Sequence, residues 1–223
     1  MEFPENQGSK SETRASKGSG SAVEAPSSKG YHSRPCLRTQ GNPQDVEKAA
    51  QALIVAERPV LLAGAGVLYA EATAELRELA EYLQLPVVTT MEGKSAFPET
   101  HPLSLGSGSG VMNGAAHHFV ANSDLVLAVG TSLTRHLMVM PIPPGKTIIH
   151  STNDPMDIGK SYSPDYAILG DARLVLAQFI DVLKQLTSGK STDTNNGPAG
   201  AIANKRREWL DQWRRVLTSS ETP

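Results

Sequence analysis

The sequence predicts a doubly wound α/β domain, an essentially parallel sheet with helices on both faces. Three observations predict it. Short apolar runs recur along the chain, at Pro59–Ala63, Pro86–Thr90, Leu125–Val129, Thr147–His150 and Asp165–Leu169. Segments between several of them carry apolar residues at helical spacing. Glycines punctuate the strand ends, at Gly64, Gly66, Gly130 and Gly170. Strands alternating with helices at this spacing argue a parallel sheet.

Residues 1–41 are polar and rich in Ser, Gly and Lys, with almost no large apolar side chain before Tyr31. Such a segment cannot bury enough surface to offset its ordering entropy, so it is expected to be disordered and dispensable. Asn42 is a helix cap with Pro43 at the first helical position. Val46, Ala49, Ala50, Leu53 and Ile54 then form one apolar face. After the strand Pro59–Ala63, Gly64-Ala65-Gly66 reads as a tight turn. The next helix carries Ala72, Leu76, Leu79, Ala80 and Leu83 on one side, and Pro86 opens the second strand.

A long connection follows, from about Thr89 to Leu125, with Phe97-Pro98, His101-Pro102 and a glycine–serine run from Gly106 to Gly110. Long loops with little regular structure are uncommon in compact domains and usually functional or disordered. Ligands of open α/β sheets bind where loops leave the carboxyl ends of strands, which is where this one begins. A short helix is expected over Gly114–Ala121. Pro141-Ile142-Pro143-Pro144 lacks the backbone donors a central strand needs. Asp171 begins a helix to about Leu186, and 188–200 reads as a polar linker. Ile202, Arg206, Trp209, Leu210, Trp213, Val216 and Leu217 then line one side of a last helix. That stripe must be buried against something, its own domain or a neighbour.

Composition narrows the function. The chain has 223 residues and a net charge of −2, so no field draws nucleic acid or an anionic membrane. No apolar run is long enough to span a bilayer. Cys36 is the only cysteine, which removes an intramolecular disulfide and a cysteine zinc cluster and fits a reducing cytoplasm. His117 and His118 are adjacent, not three or four apart, so they do not chelate from one helix face. Nothing marks a nucleophile turn such as G-x-S-x-G.

Two segments carry a resemblance. Gly93-Lys94-Ser95-Ala96-Phe97-Pro98-Glu99, with His101-Pro102-Leu103 and Leu105-Gly106, is one. Asn122-Ser123-Asp124-Leu125-Val126-Leu127-Ala128-Val129-Gly130 is the other. Together they resemble the central domain of thiamine-diphosphate enzymes of the acetolactate synthase and pyruvate oxidase kind. The resemblance covers about 43 to 187, plus the tail helix. It implies a Rossmann-like fold, with 42–187 as the central domain, 188–200 as linker and 201–223 as a helix leading toward a diphosphate-binding domain. It also implies a parent enzyme that uses thiamine diphosphate and Mg²⁺ on 2-oxo acids. The family's Gly-Asp-Gly diphosphate motif has no match, since Gly170-Asp171 is followed by Ala172. The chain is therefore expected to be non-catalytic alone, and to self-associate or dock with other domains of such an enzyme.

Candidate binding residues follow from both lines of reading. Gly64 and Gly66 would admit a phosphate to amides at a helix start, although Tyr69 stands where the dinucleotide pattern has its third glycine. The resemblance implies that the loop after Gly130 binds a flavin nucleotide, with Thr131, Ser132 and Arg135 as contacts. The flavin-binding relatives have an arginine where Ser132 stands, and Arg135 is displaced by three positions. Asp154 is expected near a ribose, and Gly170 and Asp171 near an adenine. The expected ligand is an adenine nucleotide, FAD or ADP. Two other function classes compete with this reading. An NAD-dependent deacylase shares the Gly-Ala-Gly loop but usually needs four zinc-binding cysteines. A purely structural interaction module needs no ligand.

Overall fold

The computed structural model describes residues 37–108, 114–136, 139–188 and 197–219. The expectation of disorder over 1–41 falls, for 1–36, outside the described residues. The elements run α1 (Pro43–Val55), β1 (Pro59–Ala63), α2 (Ala65–Tyr69), α3 (Thr73–Leu83), β2 (Val87–Thr89) and β3 (Ser104–Ser107). They continue with α4 (Gly114–Asn122), β4 (Leu125–Val129), β5 (Thr147–Thr152), a 3-10 turn (Pro155–Asp157), β6 (Tyr166–Leu169), α5 (Ala172–Leu186) and α6 (Ala199–Ser219).

Six strands form one sheet in the order β3-β2-β1-β4-β5-β6. Every pairing is parallel. The chain moves outward from β1 to β2 and β3, then crosses back to β4 and continues the other way. Right-handed crossovers running in opposite directions put their helices on opposite faces. Accordingly α1 and α3 both pack on α5, while α4 packs with α6. The predicted doubly wound class is the one observed.

The sheet interior is aliphatic. Leu61, Leu127, Ala128, Val129 and Ile149 are fully buried, and so are Leu76, Leu79, Leu176 and Phe179 on the covering helices. α1 begins as its sequence dictates: the Asn42 side chain accepts from the Gln44 amide, and Pro43 fills the first position.

Three features differ from the sequence reading. The long connection contains an extra edge strand, β3, whose pairing with β2 shifts register between Val87 and Val88. Its four residues, Ser-Leu-Gly-Ser, hold one large apolar side chain and no alternation, so no period-2 signal betrayed it. The helical stretch after β1 is broken into α2 and α3. The break centres on Glu71, at φ 55°, and the turn glycine Gly66 lies inside α2 rather than ahead of it.

The third difference concerns residues 38–41, which composition assigns to the tail but which are held in place. The Gln178 side chain receives the Gly41 amide and donates back to its carbonyl. Thr39 accepts the Asp171 amide. Arg38 donates to the Ala70 carbonyl over 2.9 Å. The polar composition of this stretch concealed a backbone that pairs with the domain.

The tail helix α6 docks on its own domain along its first half. Ile202 is 1% exposed, and Trp209 lies against Gly114 at the start of α4. Arg206 reaches the Glu99 carbonyl. Beyond Trp209, Leu210 and Trp213 remain 51% and 45% exposed.

Candidate functional site

The carboxyl edge of the sheet gathers the ends of all the strands, because all are parallel. Ligands in such folds bind where the strand order reverses. Here the reversal lies between β1 and β4, and the two loops that leave them meet. The Gly64 amide donates to the Val129 carbonyl over 2.9 Å, and the Gly66 amide to the Gly130 carbonyl over 2.8 Å. A Cβ on Gly66 would lie 2.7 Å from Gly130 Cα, and one on Gly64 would strike the Gly130 carbonyl.

Gly64 and Gly66 thus lie against the loop after β4. Their own amides are used inside the protein. α2, five residues long, starts between them. The two glycines are required because two backbones pass at contact distance. A tight glycine turn after a strand has the same sequence whether it faces a ligand or another loop.

Beside this crossing opens a cleft of about 390 Å³. Thr131, Ser132, Leu133, Thr134 and His136 form one wall, and Leu62, Thr90, Met91 and Glu92 another. Met140, Ile142 and Tyr162 close it. The loop after β4 is tightly folded. Ser132 and Thr134 share a hydroxyl hydrogen bond at 3.0 Å. Leu133, almost fully buried, sits at φ 46°, with its amide on Thr131 Oγ1. A branched side chain in the left-handed region is strained, and such strain collects at functional loops.

The other predicted residues are distributed differently. Arg135 does not line the cleft; its guanidinium stacks over the Tyr162 ring at 5.1 Å, and its amide donates to Ser161 Oγ. Asp154 is exposed, and its carboxylate accepts the Met156 amide, capping the 3-10 turn. Asp171 caps α5, accepting from the Arg173 and Leu174 amides. Gly170 is covered by the chain itself: a Cβ there would stand 2.9 Å from the Gly41 amide nitrogen and 3.1 Å from the Thr39 carbonyl oxygen. Residues 39–41 thus pack beside Gly170 and Asp171. Of the predicted set, Thr131 and Ser132 line the cleft. Tyr162, Met91 and Met140, which sequence reading missed, come from separate loops and carry no motif.

A larger cavity of about 470 Å³ lies at the opposite edge, where β1 and β2 begin, lined by Leu53, Val60, Leu85 and Phe119 among others. None of the predicted binding residues lines it. Among the described residues no group of three His, Cys, Asp or Glu side chains could hold a metal ion. No helix among them is long and apolar enough to cross a membrane.

Comparison with known proteins decides the family. A profile described as "Thiamine pyrophosphate enzyme, central domain" matches residues 46–179. The chain belongs to this family. It is 39% identical over 148 residues to the "Probable acetolactate synthase large subunit" of Methanocaldococcus jannaschii, covering 66% of this chain and 25% of that protein. It is 32% identical over 183 residues to acetolactate synthase isozyme 3 large subunit of Escherichia coli, covering 79% of this chain and 30% of that protein. Among solved structures, benzoylformate decarboxylase from Polynucleobacter necessarius superposes with a TM-score of 0.58 at 24% identity, over 71% of this chain and 29% of that one. The last match speaks for the fold alone. The chain thus spans between a quarter and a third of the length of these relatives.

The family uses thiamine diphosphate, and the described residues do not make a site for its diphosphate. The nearest match to a Gly-Asp-Gly motif is Gly170-Asp171. There the carboxylate serves the start of α5, with the Arg38 guanidinium 3.9 Å away, and the glycine is covered by Gly41.

Proposed function

We propose that this chain acts as the central, non-catalytic domain of an acetolactate synthase-like enzyme, and that its carboxyl-edge cleft receives an adenine nucleotide, FAD or ADP. The observation that carries this reading is the Thr131–Thr134 loop. It leaves β4 at the reversal of strand order, holds Leu133 in a strained conformation and presents hydroxyls to a cleft of about 390 Å³. Ligand cavities usually measure ~300–1,000 Å³. Thr131 and Ser132 would meet the phosphates. Arg135 would join them by leaving its place over Tyr162, which frees that ring to stack on the ligand. Ser132 gives up the charge-assisted contact that an arginine there would make, about 1.5–3 kcal/mol, so affinity is expected to be low.

Calorimetric titration of ADP and FAD tests this, using wild type, Arg135→Ala and Tyr162→Leu. Binding weakened by both substitutions supports the cleft. Binding untouched by either places the nucleotide elsewhere, and no binding by wild type removes the nucleotide reading. The non-catalytic reading has its own assay: turnover of a 2-oxo acid by the purified chain, with thiamine diphosphate and Mg²⁺ added, above a protein-free control would overturn it.

A second reading is favoured by α6, whose Leu210 and Trp213 stay largely exposed beyond the docked half. This overhang is a surface for a second copy or another domain of the enzyme. Light scattering of wild type and Trp213→Glu would register self-association through it.

A further inference from the structure

We infer that His150 is a pH-sensitive latch on the loop after β4: its neutral ring holds the Thr131 carbonyl in place, and a second ring proton releases it. The geometry is simple. His150 lies in β5, fully buried, with Ala128 of β4 and Ala167 of β6 as its neighbours across the sheet. Its Nε2 lies 2.8 Å from the Thr131 carbonyl oxygen. A carbonyl only accepts, so Nε2 carries the hydrogen, and in the neutral ring Nδ1 is then bare. Nδ1 is buried and has no hydrogen-bond partner among the described residues. Ser151 Oγ is buried and unpartnered too, but successive strand residues face opposite sides of a sheet, so it cannot serve Nδ1.

Protonation would add a charge and an N–H with no acceptor. Burial is the largest influence on this ring and holds its pKa below the ordinary value. The Thr131 carbonyl and the Asp157 carboxylate pull the other way without prevailing. Asp157 lies in the turn after β5, with the Lys160 ammonium at 3.7 Å and the Thr152 hydroxyl at 3.4 Å. The facing strands contribute only Ala128 and Ala167. α5 covers the opposite face of the sheet, the one that Ile168 and its partner Ser151 share, and its Arg173 and Lys184 pair outward with Glu75 and Glu78. On the ring's own side runs the loop after β4, which carries Arg135, seated over Tyr162, and His136. A charged ring donates more strongly to Thr131, but it finds an acceptor for Nδ1 only by leaving its place, and the latch leaves with it.

The consequence falls on the loop. Leu133 keeps its left-handed conformation only while its surroundings fix it. The sign follows from linkage. A folded-state pKa below the unfolded value, about 6.5 for histidine, means that the latch contributes fully above that pH. Its contribution is lost as pH falls through that value toward the folded pKa.

The test is amide hydrogen exchange of residues 131–135 in the full chain, at about pH 7.5 and 5.5, corrected for intrinsic exchange, in wild type and His150→Gln. Glutamine can donate to the same carbonyl and does not titrate. Wild-type protection should fall about tenfold at the lower pH, one unit below an ordinary histidine pKa, while the glutamine variant stays flat. Unchanged wild-type protection, or an equal loss in the variant, overturns the inference. If the variant does not fold, ring NMR of the wild type decides. The Nε2–H tautomer at neutral pH, converting in step with loop exchange, supports the latch. Titration without any change in the loop refutes it.

Discussion

The Gly66 amide donates to the Gly130 carbonyl over 2.8 Å, and this bond ties the loop after β1 to the loop after β4. Backbone lies on both sides of the contact, so neither loop can yield to a side chain. Gly66→Ala is expected to cost about 1–3 kcal/mol, as overpacking does in a filled interior. Gly66→Val should cost more. Gly200→Ala is the control: it sits in α6 with nothing within 4 Å of the new Cβ, and should gain about 0.4–1 kcal/mol. Urea unfolding of the three variants measures the contrast.

Asp171 joins two roles. Its carboxylate caps α5, and its amide holds Thr39. Asp171→Ala should lower stability by about 0.5–2 kcal/mol, the usual cost of a lost cap. Asp171→Asn should retain most of it. A chain beginning at residue 42 should also be less stable than one beginning at 37, because the pair of bonds between Gly41 and Gln178 is lost. Equal melting temperatures for those two chains would show that residues 37–41 contribute nothing.

Asp124 makes stability depend on acid. Burial is the strongest single influence on its carboxyl and raises the pKa, but the amides of Glu57 and Arg58, at 2.7 and 2.9 Å, help to hold it below its ordinary value. A depressed folded pKa means the contribution is complete above the unfolded value, about 3.9, and disappears as pH falls through the folded one. Asp124→Ala should destabilise by about 1–3 kcal/mol at neutral pH, since two amides lose their acceptor. Asp124→Asn should flatten the acid limb of a stability–pH curve, and an unchanged limb would contradict this assignment.

Trp209 reports on the docking of α6. Its ring lies against Gly114, where an added Cβ would come within 2.6 Å of it. Gly114→Val should displace the indole toward water and shift tryptophan emission to the red. Ile202→Asp, placing a charge at a buried position, should release the helix more fully and lower its protection from exchange. Emission unchanged in both variants would mean that α6 does not rest on α4 in solution.

The sequence by itself determined the α/β class, five of the six strands, the register of most helices and the family. Each rests on a local signal. Aliphatic runs specify buried strands, helical spacing specifies a face, and Asn42-Pro43 and Asp171 specify helix starts. β3 escaped because Ser104–Ser107 gains its strand conformation from pairing with β2, not from its own side chains. Tertiary structure alone decided what the glycines do. Gly64 and Gly66 look the same in a sequence whether or not a neighbouring backbone lies against them, and only the meeting of β1 and β4 shows that one does. The same holds for residues 38–41, whose polar side chains hide a backbone bonded to Asp171 and Gln178. It holds for His150 as well: a histidine in a strand becomes a latch only when Thr131, nineteen residues earlier, is folded onto it.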